Sequence, residues 1–307
     1  MTALLRRYGR GLTIAILGLT AFWLLALVVL PYFIMFRYSF RPYLPVDQLG
    51  GPNDVYTLGN YATFFSSPRT IQLFGWAFDI PIHVQIFVLT VFYSCVVTVI
   101  CLVAAYPLAY FLAKMAAPRN APTLFIVLLI PLWVSEVLRS FAWFIILSFQ
   151  GPLNTSLIGL GLIARPVRWL TGFNGVVVGL VYTYVLFMLF PIYNAIQSLD
   201  SNQIEAAQDL GSPTWRTHWR VVIPHSKPGI ASGCVMVFML SAGSILVPTL
   251  LASTTSRWFT EIVQQWMFES QDWNTGSAYA FLLLLICVLF VSLMMRLFKV
   301  RLADIAK

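Results

Sequence analysis

Long uncharged apolar runs alternate with shorter polar stretches along the whole chain. The first run covers Gly11 to Phe36, and the second lies within His83 to Ala113. The third, Ala121 to Phe149, is interrupted by Glu136 and Arg139. The fourth covers Phe173 to Leu199, the fifth Ile230 to Ala252 and the sixth Thr275 to Leu297. A hydrocarbon core of ~30 Å takes about 20 helical residues to cross, so each run predicts a membrane-spanning helix. The expected fold class is therefore all-α, a polytopic membrane protein of six transmembrane helices. Between the first two runs lies a mixed loop, Arg37 to about Ile82, in which Leu58 to Phe65 predicts a short amphipathic helix.

One long polar insert stands out, Ser201 to Ile230. Asn202 and Glu205 are spaced for a capping box, each side chain reaching a free backbone N–H near the other. Ile204, Ala206, Ala207 and Leu210 suit a short helix, and Gly211 fits the left-handed position that closes one. Ser212 and Pro213 predict a restart, with Ser as N-cap and Pro at the first helical position. Pro224 is expected to end that second helix, because its ring clashes with the preceding turn. Pro228-Gly229 then reads as loop.

The same residues carry a resemblance. Glu205-Ala206-Ala207, Gly211, Trp219, Ile223-Pro224 and Pro228-Gly229-Ile230 resemble, at their spacings, the EAA loop of ABC importer permease subunits. In that family the loop is cytoplasmic, docks as a short helix in a cleft of the ATP-hydrolysing subunit, and passes its closure to the membrane helices. The resemblance implies coupling roles for Glu205, Ala206, Ala207, Gly211, Ile223 and Pro224, and a type-I importer permease fold. Trp219 stands where Phe is commoner, and Ile223 to Ile230 departs mildly from the family's LPLSxPGI.

Composition agrees with a membrane protein. Of 307 residues, 59% are apolar and 10% charged, against about 25% charged in soluble domains. The net charge of +8 is explained by placement. With the N-terminus inside, Arg6, Arg7, Arg10, Lys114, Arg119, Arg216, Arg220, Lys227, Arg296, Lys299, Arg301 and Lys307 are cytoplasmic. These outnumber Arg37, Arg41, Arg69, Arg165, Arg168 and Arg257 outside, as the positive-inside rule requires. Both termini are thus expected in the cytoplasm. The first run is too long for a signal peptide and reads as an uncleaved helix. Cys95, Cys101, Cys234 and Cys287 all lie in apolar runs, without metal-ligand spacing. No internal repeat is evident.

Candidate chemistry is sparse. No lysine sits in a phosphate-binding loop, so no ATP site is expected on this chain, and it is not expected to be an enzyme. His83, His218 and His225 lack ligand spacing, and no metal is expected. Glu136 and Arg139 are charges inside a span, costly unless they face a wet cavity or one another. Their spacing puts them on one helix face, where they can pair as a structural lock. The other reading is that they line a translocation pathway, with Glu136 meeting a cationic solute. Gly175 and Gly179 form a small-xxx-small pattern that permits close helix approach. A DNA-binding reading of the polar insert is set aside because membrane spans flank it.

A wider resemblance runs along nearly the whole chain. Tyr106 to Lys114, Pro131-Leu132-Trp133 with Arg139, Gly151 to Asn154, and Asp272-Trp273 with Gly276 and Ala278 are similar to spermidine/putrescine permease subunits. This implies a bacterial inner-membrane permease for polyamines or similar small cations. The implied partners are a dimer of ABC ATPase subunits carrying the ATP and Mg, a second permease subunit expected to be a different chain, a periplasmic binding protein and the bilayer. No nucleic acid is expected. Ser241-Ala242-Gly243-Ser244 departs from relatives that carry an acidic or aromatic residue there. The implied organisation is 1–82 as first helix and periplasmic loop, 83–299 as core with the coupling loop at about 200–228, and 300–307 as cytoplasmic tail. The rival is a carrier or channel driven by an ion gradient, without an ATPase.

Overall fold

A computed structural model describes residues 2–45, 48, 50–66, 68–73, 76–117, 119–253 and 256–300. Inside its helices and strands the side chains of 2–8, 10, 68–73, 76–80 and 122 are outside the description. The basic tail from 301, and the side chains of Arg6, Arg7, Arg10 and Arg69, thus lie outside the described residues.

In chain order, α1 (Gly11–Ser39) is followed by α2 (Gly59–Ala62), which continues as a 3-10 turn through Phe65. The mixed loop also carries a short sheet, β1 (Pro68–Leu73) paired with β2 (Trp76–Pro81), which the apolar pattern did not predict. Then come α3 (Ile82–Met115), α4 (Ala121–Trp133), α5 (Glu136–Leu147) and α6 (Pro152–Gly159). The remainder is α7 (Asn174–Gln197), α8 (Ser201–Asp209), α9 (Thr214–Ala242), α10 (Leu246–Leu251), α11 (Phe259–Gln264) and α12 (Trp273–Phe298). Among the described residues six helical segments are long and apolar enough to cross a membrane: α1, α3, α5 with α6, α7, α9 and α12.

Two spans differ from the pattern. The third is broken: Val134 and Ser135 are extended, separating α4 from α5, so Glu136 opens a helix rather than sitting inside one. The fifth starts earlier than Ile230. Pro224 does not end the polar insert's second helix, and Pro228-Gly229 is not loop; α9 runs through both prolines to Ala242. The reason is the π turn at His218–Val222. A proline stops a helix because its ring meets the carbonyl one turn back, and a widened turn just before Pro224 relieves that clash. The helix ends instead at Gly243, and α10 follows after Gly243–Ile245.

The chain forms two compact units, with divisions inside β1, α11 and α12 at residues 69/70, 262/263 and 282/283. In the first, Asn60 Nδ2 donates to the carbonyls of Ser39 (2.9 Å) and Arg41 (2.7 Å), tying α2 to the end of α1. Asn274 Nδ2 also donates to the Arg41 carbonyl, at 2.9 Å. Phe36 packs edge-on against Phe281, and Phe64 against Tyr279.

In the second unit α7 is the central helix. Val176, Leu180, Met188, Leu189, Ile192 and Ile196 are essentially inaccessible. Glycines let its neighbours approach. A Cβ at Gly179 would collide with the Leu251 and Val247 side chains of α10, as the small-xxx-small pattern predicts. The same spacing recurs, unanticipated, on α9. A Cβ at Gly229 would run into the Pro191 carbonyl and the Ala195 methyl, and one at Gly233 would lie 2.7 Å from the Met188 sulfur.

Candidate functional site

The first helix of the polar insert is capped by Asp200, not Asn202. The Asp200 carboxylate accepts from the Asn202 N–H at 3.0 Å and caps α8, so the expected capping box with Glu205 does not form. Either residue type can cap; Asp200 is the one left in extended conformation. Gly211 closes the helix as predicted. Its φ is +77°, its N–H bonds to the Gln208 carbonyl (2.8 Å), and the Ser212 N–H reaches back to Ala207 (3.1 Å). That pair of bonds is the Schellman closure. Nothing lies within 4 Å of where a Gly211 Cβ would sit, so glycine is needed there for conformation and not for space. Pro213, rather than Ser212, takes the next N-cap position.

Ile204 is buried and anchors α8, while Glu205 and Ala206 are exposed and Ala207 is half-buried. Large apolar side chains stand out of the same segment: Leu210 is 89% exposed, Trp215 62% and Trp219 66%. Large apolar groups exposed together suit a surface that another molecule or the membrane covers. Ile223 is half-buried and Pro224 exposed.

Both ends of the segment are tied to the end of α3. The Lys114 ammonium donates to the Leu199 carbonyl, just before α8. The Tyr106 hydroxyl lies 2.9 Å from His218 Nδ1, at the head of the π turn, and the Tyr110 ring meets the same imidazole edge-on at 4.4 Å. Ser198 Oγ lies 3.1 Å from His225 Nε2, joining the two ends to each other. Sequence reasoning missed these three residues of α3, because partners 85 to 112 positions apart leave no local signal.

Glu136 and Arg139 do not pair. The Tyr184 hydroxyl on α7 donates to Glu136 Oε1 at 3.1 Å, and Arg139 Nε is enclosed with no acceptor. Glu136 occupies the first turn of α5, where the positive end of the helix dipole favours a carboxylate. It lines a cleft of about 280 Å³ with Tyr184, Met239, Leu240 and the Gly243–Leu246 break. The break is bonded by Trp258, just before α11, and by Thr260 in its first turn. Trp258 Nε1 donates to the Ser241 carbonyl (3.2 Å) and Thr260 Oγ1 to that of Ser244 (2.6 Å), satisfying acceptors the broken helix leaves. Phe259 N–H in turn donates to Thr90 Oγ1 of α3 at 3.0 Å. The cleft is partly polar and bounded by non-helical backbone at Gly243–Ile245, the kind of backbone that is tolerated at membrane depth only where it is buried in protein or lines a cavity.

The family description "Binding-protein-dependent transport system inner membrane component" matches residues 2–304. The chain belongs to that family. It is a multi-pass inner-membrane permease subunit of a binding-protein-dependent importer, a transport component and not an enzyme. The permease is 33% identical over 217 residues to the spermidine/putrescine transport system permease protein PotB of Haemophilus influenzae, covering 71% of this chain and 75% of that protein. It is 31% identical over 256 residues to PotB of Escherichia coli (strain K12), covering 83% of this chain and 86% of that one. Among solved structures it resembles a chain of a bacterial alginate ABC transporter crystallised with an alginate pentasaccharide-bound periplasmic protein. The TM-score is 0.72 with 18% identity, covering 97% of this chain and 98% of that chain. At that identity the likeness is one of fold.

Proposed function

We propose that this permease imports polyamines, spermidine and putrescine or similar small cations, as one half of a two-permease pathway. The observation that carries the solute is the likeness to PotB over most of both chains. Chemistry on the cleft is consistent with it: a carboxylate beside a phenol hydroxyl is an acceptor set suited to an ammonium group. Glu136 receives the cation in this reading, and Arg139, on the same helix, limits how deeply a second positive charge can settle. Family membership sets aside the free-standing carrier driven by an ion gradient.

The segment from Asp200 to Pro224 is the coupling element. Glu205, Leu210, Trp215 and Trp219 are the face that docks on a separate ATPase, where ATP and Mg act; a second permease and a periplasmic binding protein complete the importer. In this reading the segment and both termini are cytoplasmic. Because Lys114, Tyr106 and Tyr110 hold both ends of the segment, a displacement of α8 is delivered to α3. We keep the division into 1–82, 83–299 and 300–307 as part of the proposal.

The test is gentle detergent purification from the native host, then reconstitution with labelled spermidine. The expected result is a stoichiometric ATPase carrying a phosphate-binding loop, and uptake that needs both ATP and the binding protein. Uptake without any ATPase would overturn the coupling assignment, and ATP-driven uptake indifferent to competing polyamines would overturn the solute.

A further inference from the structure

The last turn of α1 and the chain just after it carry two guanidiniums, Arg37 and Arg41, that the importer reading does not use. Arg37 is exposed and makes no hydrogen bond or ion pair among the described residues. Arg41, four residues on, is held in place. Its carbonyl accepts from Asn60 and Asn274, its Nη1 pairs with Asp54 Oδ2 at 3.3 Å, and its guanidinium lies 5.4 Å from the Tyr56 ring centre. Even so, Arg41 Nε is enclosed with no acceptor. Phe33, Ile34, Arg37, Tyr38 and Arg41 line a cavity of about 330 Å³. Among the described residues, two cations and one carboxylate leave one positive charge, and a donor, without an anion.

Position narrows the anion. From Gly11 to Arg37 a helix rises about 39 Å at ~1.5 Å per residue, close to the ~40–45 Å of a bilayer with its headgroup layers. Arg37 therefore falls at a headgroup level whichever way the chain is inserted. Below it α1 offers exposed Leu27, Leu30, Phe33 and Ile34, the surface an acyl chain lies along. A free inorganic ion would have no use for the apolar wall, whereas a phosphodiester with a glycerol and chain attached matches both parts. Arginine is the side chain suited to it, because its fork bonds two phosphate oxygens at once.

We infer that the Arg37–Arg41 cavity is a binding site for the phosphate of a membrane phospholipid, seated at the C-terminal end of the first span. The experiment uses the intact importer complex, delipidated in detergent and titrated with phosphatidylglycerol under native mass spectrometry. We expect a retained lipid on the permease, weakened at least tenfold in Arg37→Gln, unchanged in Arg168→Gln, and not displaced by millimolar inorganic phosphate. Arg37 has no polar partner among the described residues, so this substitution removes no described contact of the fold; Arg37→Lys, which keeps the charge but not the fork, should weaken retention less. Equal retention in Arg37→Gln would overturn the site. Displacement by inorganic phosphate would overturn the lipid as its occupant. Unchanged lipid with lost stimulation by the binding protein would assign the arginines to that partner instead.

Discussion

Two glycine-dependent regions of this permease need glycine for opposite reasons. At Gly211 the backbone is left-handed and the surroundings are empty; at Gly229 φ is not in the left-handed region and the Pro191 carbonyl stands where a side chain would begin. The first glycine shapes a segment whose large apolar side chains, Leu210, Trp215 and Trp219, stand exposed. The second lets α9 lie against α7 inside the core. A glycine kept for conformation tolerates side chains that tolerate the conformation, and a glycine kept for space tolerates none.

The largest effect is expected at the core. Gly229→Val should cost about 3 kcal/mol or more, since both clashing groups belong to packed helices. It should be read as loss of the monodisperse detergent peak and a fall in melting temperature. A variant that purifies normally would mean that α7 and α9 are not in close contact. Gly211→Asp should behave differently. Asp accepts a left-handed backbone at about 1 kcal/mol, so insertion and melting change little. We expect uptake to fall at least tenfold, with the ATPase no longer co-purifying, because a carboxylate now stands on the docking face. Gly211→Asn, of similar backbone tolerance and no charge, should retain most uptake. Wild-type uptake in Gly211→Asp would remove the segment from the coupling role.

A smaller change separates path from scaffold. Glu136→Gln keeps an oxygen for the Tyr184 hydroxyl, so the fold should hold, while KM for a dicationic polyamine should rise several-fold. A melting temperature that drops together with uptake would make Glu136 structural. Smaller still is Tyr106→Phe, which removes one hydrogen bond worth about 1 kcal/mol. It should raise the ATP hydrolysed per solute moved by about twofold without changing ATPase binding. An unchanged ratio would mean that α3 does not receive the motion of α8.

Some of this was legible beforehand. Gly175 and Gly179 stood out because two small residues four apart in an apolar run have an immediate packing meaning. Gly229 and Gly233 have the same spacing and were hidden, because Pro224 and Pro228 beside them read as breakers. Glu136 was conspicuous as an expensive charge. Its partner was not: Arg139 was the near candidate, and Tyr184, 48 residues away, is the one that bonds.

From the chain alone came the number of apolar spans, the one polar insert, its glycine-closed helix and the family resemblance. These rest on transfer energies and backbone sterics that belong to a residue and its immediate neighbours. Tertiary structure decided where helices break, why α9 passes through two prolines, and which groups meet Glu136 and His218. Those outcomes depend on whether a distant segment supplies a donor, an acceptor or room. The Trp258 and Thr260 bonds to the carbonyls at the α9–α10 break are of that kind, and so are the Pro191 carbonyl at Gly229 and the Tyr106 hydroxyl at His218. No stretch read by itself contains both partners.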